Sequence, residues 1–266
     1  MLPDLFRCRP KIDFLEIIAD HYLEPTPESE RELDLLADHF TLIPHGLNLS
    51  LGSADGLDST YVKRFARLVA KLNPPWWSDH IAFTRIDGIE IGHLVSLPPS
   101  IASVRVVSQN VARAKDMIGP KLILENITHS ITYTNSLLGE ADFIADILSE
   151  TNTGLLLDLT NLWTNARNHH FDESTFLDRL PLDRIVQLHL VGGVKRGDQW
   201  IDSHSEPVPD AIFQLLSRVH TKARAHGLII ERDENIPPLD ELTAELDRAR
   251  RIEIEAQTSS SGQTSP

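Results

Sequence analysis

The chain predicts an α/β fold of the TIM-like (β/α) barrel type, on three observations. Leu155–Leu157, behind Gly154, is an apolar run of the kind buried on both faces of a parallel sheet, and Asp158 arrives where the run stops. A carboxylate at a strand's C-terminal end stands where α/β folds build their sites. The pattern recurs, with His45, His80, Glu125, His189 and Glu231 each closing a strand-like run. Counted from Glu16, successive members lie 29 to 45 residues apart, which leaves room for a strand, a helix and two connections. In a doubly wound open sheet only strands beside the switch point need site residues, so polar groups at six strand ends favour the barrel.

Taken in order, Ile12–Ile18 reads as a strand containing Glu16, with His21 beyond it, and a helix runs from Pro27 or Glu28 to about His39. Its first turn is acidic, as the helix dipole favours. Leu42–Ser50 holds His45, and Gly46, Gly52 and Gly56 punctuate the loop that follows. Over Asp58–Leu72, the residues Tyr61, Phe65, Leu68, Val69 and Leu72 recur at helical spacing, with Asp58 or Ser59 as N-cap. Pro74 and Pro75 stop that helix, and Trp76–Phe83 reads as the third strand, its tryptophans as packing residues. Asp87-Gly88 and the alternating Ile89–His93 read as a small hairpin with His93 structural or exposed.

A helix over Ser103–Ile118 leads to a strand over Lys121–Ile127, and one over Glu140–Glu150 leads to Leu155. After Asn161 a polar loop passes His169 and His170, of which at most one can face a site, and a short helix covers Ser174–Leu180. Arg184–Val191 reads as a strand, Gly192-Gly193 as a turn and Gln199–His204 as extended chain. The helix Asp210–His226, the strand Gly227–Glu231 and a helix over Leu239–Arg250 complete the series. Residues 1–256 are expected to form one barrel domain, and the Ser/Thr/Gln-rich stretch 257–266 a disordered tail.

With 266 residues and 41% hydrophobic content, the chain is long enough to bury a substantial core. Its net charge of −14 disfavours unaided binding to nucleic acid or anionic membranes, which need clustered Lys and Arg. One cysteine, Cys8, cannot form an internal disulfide and reads as an incidental thiol. The chain has neither an 18-residue apolar span nor a signal-peptide pattern, and the expected location is cytoplasmic.

The residue types define the chemistry. His45, His80, Glu125, Asp158, His189 and Glu231 mix imidazole with carboxylate, which suits iron, zinc or manganese rather than an all-oxygen calcium or magnesium site. Asp202 and His204, two apart in extended chain, fall on one side and can reach one metal. Glu231 and Asp233 project together if the strand continues, which makes Asp233 a candidate acid or base beside the metal. The ligand count allows two or three ions. Asp158 and Asn161 also have a plainer reading, as caps of the next turn. No P-loop, GxGxxG, G-x-S-x-G or paired CxxC motif is present, which removes the common nucleotide, serine-hydrolase and zinc-ribbon readings.

An ordered set of motifs spans most of the chain: Phe14–Ile18, His45–Gly52, Ser78–Phe83, Leu124–Asn126, Leu156–Trp163 with Ala166–His169, Leu188–Gly192, Ile201–His204 and Ile230–Asp233. This set resembles the multinuclear non-haem iron-dependent oxidative enzymes, the family of the methanobactin-forming enzyme. The resemblance implies a TIM-like barrel with two or three iron ions. Its ligand positions match His45, His80, Glu125, Asp158, Asn161, His189, Asp202, His204 and Glu231. It also implies dioxygen as co-substrate and oxidative modification of cysteine in a ribosomally made precursor peptide, usually with a companion protein that recognises the peptide leader. The family usually begins with a Gly-rich strand and a helix before the segment matching Ile12–Ile18; eleven residues precede it here, so the expected barrel lacks that first strand. Arg232 stands where the family commonly has an aromatic. The competing readings are a divalent-metal-dependent isomerase or phosphoesterase of the xylose-isomerase-like or endonuclease-IV-like barrel type, and a non-catalytic metal-bound partner.

Overall fold

The computed structural model describes residues 2–119, 121–134, 136 and 138–261. Among these, seven parallel strands form one sheet: β1 (Phe14–Ile18), β2 (Thr41–His45), β3 (Trp77–His80), β6 (Leu122–Glu125), β7 (Gly154–Asp158), β8 (Ile185–Leu190) and β11 (Gly227–Ile230), adjacent in that order. Two antiparallel hairpins are inserted, β4 (Phe83–Ile86) with β5 (Ile89–Val95), and β9 (Gly192–Arg196) with β10 (Gln199–Glu206). The expectation of seven strands is met, and β1 and β11 end the order. The described chain falls into two compact units, Phe14–Leu156 and the stretch from Leu157 onward together with the N-terminal residues to Asp13.

In the Phe14–Leu156 unit the parallel strands are separated by α2 (Pro27–Ala37), α3 (Ser59–Leu72), α4 (Ile101–Ile118) and α5 (Glu140–Thr151). Three of these helices begin at a residue whose side chain caps them. Thr26 caps α2 on Ser29 N, Asp58 caps α3 on Thr60 N and Tyr61 N, and Ser100 caps α4 on Ser103 N. Asn73 and Asn152 end α3 and α5 in the left-handed conformation that asparagine tolerates. Ile43, Phe65, Trp77, Leu124, Ile147 and Leu155 are fully buried, so the expected packing role of Trp77 is observed. Asp87 and Gly88 both have positive φ, as a tight hairpin turn requires, and β4 and β5 pair around them.

The other unit holds α1 (Leu2–Arg7), α6 (Leu159–His169), α7 (Glu173–Arg179), α8 (Asp210–Lys222) and α9 (Leu239–Ser261). Three sequence expectations are corrected here. The stretch after Asn161 is not a loop: α6 starts directly after Asp158, because Leu159, Leu162, Trp163 and Ala166 give it a buried stripe at helical spacing. Gly192-Gly193 is not a turn but the start of β9. A β-carbon at Gly192 would lie 2.1 Å from Pro207 O and one at Gly193 2.3 Å from Ile201 O, so only glycine lets the backbones approach. The stretch 257–266, expected to be disordered, is helical as far as Ser261, because α9 continues through Gln257; residues 262–266 lie outside the described residues. Ala256 is buried there and Gln257 Nε2 donates to Glu253 Oε1 at 3.0 Å, so a helix already nucleated extends at small cost. No described helix is long and apolar enough to cross a membrane.

Candidate metal centre

Three adjacent strands of the Phe14–Leu156 unit end in the first donor group. His45 closes β2, His80 closes β3 and Glu125 closes β6, with His80 and Glu125 register partners. All three are buried. His45 Nε2 lies 3.4 Å and His80 Nε2 3.3 Å from the same oxygen, Glu125 Oε2, and the two rings meet edge-on with centroids 4.7 Å apart. Ligands about 2.1 Å from a shared ion stand roughly 3.0 to 3.5 Å from one another, so these separations suit a metal with nitrogen and oxygen donors.

The surroundings hold this geometry. His45 and Ser78 are partners in the β2–β3 register, and His45 Nδ1 meets Ser78 Oγ at 2.7 Å, which turns Nε2 toward Glu125. The loop after His45 is tied down residue by residue. Gly46 N donates to Ser78 O, Leu47 N to Asp20 Oδ2 at 3.0 Å, Leu49 N to Asp79 Oδ2 at 3.3 Å, and Gly52 N to Ala82 O. Asn110, from α4, donates to both Leu51 O and Ser53 O. Burial pushes the Asp79 carboxyl well above the usual range, although His80 N and Leu49 N both donate to it. Burial and the nearby Asp79 and Asp20 carboxylates likewise raise the Tyr61 phenol.

The second donor group lies within the other unit, on β8, β10 and the chain after β11. His189 Nδ1 is 3.1 Å from Glu231 Oε2; His204 Nε2 is 3.0 Å from Asp202 Oδ1, and His204 Nδ1 is 2.9 Å from Asp233 Oδ2 and 3.6 Å from Glu231 Oε1. His204, Glu231 and Asp233 can each offer a ligand atom within 4.8 Å of the others. β11 ends at Ile230, yet Glu231 N still donates to Leu190 O, and Asp233 N and Glu234 N both donate to His204 O. These bonds bring Glu231 and Asp233 to His204, which adopts a left-handed φ of 50° where the β9–β10 register shifts. Burial, the largest influence on His204, favours the neutral ring, but Asp202, Asp233 and Glu231 outweigh it and push the pKa up to about 12.

Asp158 and Asn161 meet each other. Asp158 is fully buried at the end of β7 and caps α6, its Oδ1 accepting from Asn161 N at 2.7 Å, so the capping reading of this pair is realised. The sequence reading passed over two polar neighbours of candidate ligands, Ser78 beside His45 and Gln187 beside His189. The signal for both was a polar residue inside a strand otherwise built to be buried. His93 is exposed, as expected.

The chain has counterparts among known proteins. A family model described as RiPP precursor modification enzyme MbnB/TglH/ChrH, RiPP denoting a ribosomally synthesised and post-translationally modified peptide, matches residues 1–254. A UPF0276 protein of Caulobacter vibrioides is 35% identical over 242 residues, covering 91% of this chain and 86% of that protein. One from Vibrio vulnificus is 31% identical, covering 92% and 85%. Among solved structures, L-ribulose 3-epimerase superposes with a TM-score of 0.58 at 14% identity, over 98% of this chain and 92% of that one. Endonuclease IV from Thermus thermophilus superposes at 0.55 and 16%, over 95% and 94%. At such identities the likeness shows the fold alone, a (β/α) barrel, whereas the family match extends through both donor groups. The chain belongs to the MbnB/TglH/ChrH family of RiPP precursor modification enzymes.

Proposed function

We propose that this enzyme is a multinuclear iron-dependent oxidase that modifies cysteine in a ribosomally made precursor peptide, with dioxygen as co-substrate. The observation that carries the reading is the convergence of imidazole and carboxylate on two buried or half-buried groups in a chain of this family. His45, His80 and Glu125 would hold one ion, and His189, Asp202, His204 and Glu231 another; Asp158 and Asn161 are the remaining candidate ligands. The chain's one cysteine, Cys8, sits 3.7 Å from Asp240 and joins neither group, so the donors are nitrogen and oxygen, which suits iron that must change oxidation state.

Iron bound there would relay electrons from the substrate cysteine to dioxygen and supply a positive charge that favours the cysteine thiolate. The chain's own residues supply orientation and proton handling. Ser78 fixes the His45 ring, and the loop that follows it is held by hydrogen bonds to Ser78, Asp20, Asp79 and Ala82. Asp233, half exposed and hydrogen-bonded to His204 Nδ1, is the candidate for moving a proton from the substrate. A companion protein that presents the peptide leader fits the same reading.

Iron-loaded protein is to be given a cysteine-containing precursor peptide in air, and the peptide's mass followed. A mass change that needs iron and is absent from a Cys→Ser peptide is expected. Iron-independent hydrolysis of a phosphate ester, or isomerisation of a sugar by the protein loaded with another divalent metal, would instead favour the isomerase or phosphoesterase reading.

A further inference from the structure

We infer that Gln187 is the positioning residue for His189, and that its amide serves two hydrogen-bonding states of that ring in turn. This rests on the reading of His189 as a metal ligand. Gln187 and His189 are two apart on β8 and therefore share a face of the strand, and both are fully buried. A buried glutamine costs stability unless its amide is bonded, and here Gln187 Nε2 lies 2.8 Å from His189 Nε2. The amide N–H donates, so Nε2 accepts, and the neutral ring carries its proton on Nδ1, which faces Glu231 Oε2 at 3.1 Å.

A metal ion can bind only the lone pair of a ring nitrogen. With Nε2 turned to Gln187, the nitrogen left for an ion is Nδ1, and the neutral ring must then carry its proton on Nε2. Nε2 becomes a donor and needs an acceptor in the same place. A glutamine meets that need by a half-turn of its amide, which brings Oε1 where Nε2 was. Glutamate only accepts, lysine only donates, and methionine of similar length does neither. His45 shows the opposite choice: its Nδ1 is held by Ser78 Oγ, also both donor and acceptor, and its Nε2 faces Glu125. The two histidines are thus turned through opposite nitrogens by different polar neighbours.

The test uses full-length protein labelled with ¹⁵N in histidine, whose imidazole nitrogen shifts distinguish protonated from unprotonated nitrogen, with Zn²⁺ as a diamagnetic probe. Metal-free protein should show His189 protonated on Nδ1, and zinc should move the proton to Nε2. In Gln187→Met the preference in metal-free protein should be lost, and the zinc concentration that shifts the His189 signals should rise roughly 10- to 100-fold. In Gln187→Glu the proton should already sit on Nε2 before zinc is added. In the metal-free variants, His45 signals that match wild type serve as the control for folding, and if the methionine variant does not fold, the glutamate variant decides. Nε2 protonation in metal-free wild type, or a folded variant whose tautomer and zinc response match wild type, would overturn the assignment. If wild type takes up no zinc, the ligand reading fails, while the metal-free comparison still shows whether Gln187 sets the ring.

Discussion

Gly46 and Asp79 stand so close that a β-carbon on the glycine would lie 2.4 Å from Asp79 Oδ2, with the Phe65 ring at 2.7 Å. Neither neighbour has room to yield, because Asp79 is buried and holds Leu49 N while Phe65 is core. Gly46→Ala should therefore cost about 1–3 kcal/mol as an overpacked site and weaken metal uptake by displacing His45. Gly88→Ala is the comparison: its φ is +72°, and nothing lies near the added carbon. That variant should lose roughly 1–2 kcal/mol to backbone strain and keep its metal. Urea denaturation of metal-free protein, followed by elemental analysis, checks both.

Asp158 is expected to separate capping from ligation. Asparagine caps helices as well as aspartate does, so Asp158→Asn should change metal-free stability by less than about 1 kcal/mol, whereas Asp158→Ala should cost about 0.5–2. If the carboxylate binds metal, both variants lose metal. Asparagine-variant protein with full metal content would leave Asp158 as a cap alone.

His129 and Glu140 tie the start of the loop after β6 to the first turn of α5, with Nε2 and Oε2 3.1 Å apart. Burial of His129 favours its neutral form, but the Glu140 carboxylate outweighs it and raises the pKa above the ordinary 6.5. The folded pKa exceeds the unfolded one, so the pair's stabilisation is complete below pH 6.5 and is lost as pH rises through the raised value. Glu140→Gln should then cost about 0.2–1 kcal/mol at pH 6 and progressively less at alkaline pH. A loss that does not change with pH would contradict this.

The strand ends were legible because a parallel strand buried on both faces leaves no polar residue until its last position, as at Leu155–Asp158 and Leu122–Glu125. The cap at Asp58 and the turn at Asp87-Gly88 were legible because their chemistry is local. What the sequence hid depends on tertiary contact. Gly192 and Gly193 look like a turn until Pro207 O and Ile201 O are seen against them. Asp233 could be aligned with Glu231 only by assuming the strand continues; in fact the His204 carbonyl accepts from Asp233 N and Glu234 N and carries the alignment past the strand's end. Ser78 and Gln187 were passed over because their roles depend on which ring nitrogen they meet.

The two donor groups make the iron count a prediction. Protein prepared without air should hold more than one iron per chain, Glu125→Gln should lose the share held with His45 and His80, and Glu231→Gln the share held with His189 and His204. A neutral amide is a poorer ligand and does not offset the cation's charge. A single zinc per chain at full activity would sink the multinuclear reading.

Oxygen uptake during turnover tests the central claim most directly. Iron-loaded protein and a cysteine-containing precursor peptide are mixed first without oxygen and then with a measured amount, while dissolved oxygen and peptide mass are followed together. Oxidation of a peptide cysteine predicts no product until oxygen enters, then product rising in fixed proportion to the oxygen consumed, and neither with a Cys→Ser peptide. Equal product formation in the absence of oxygen would contradict it.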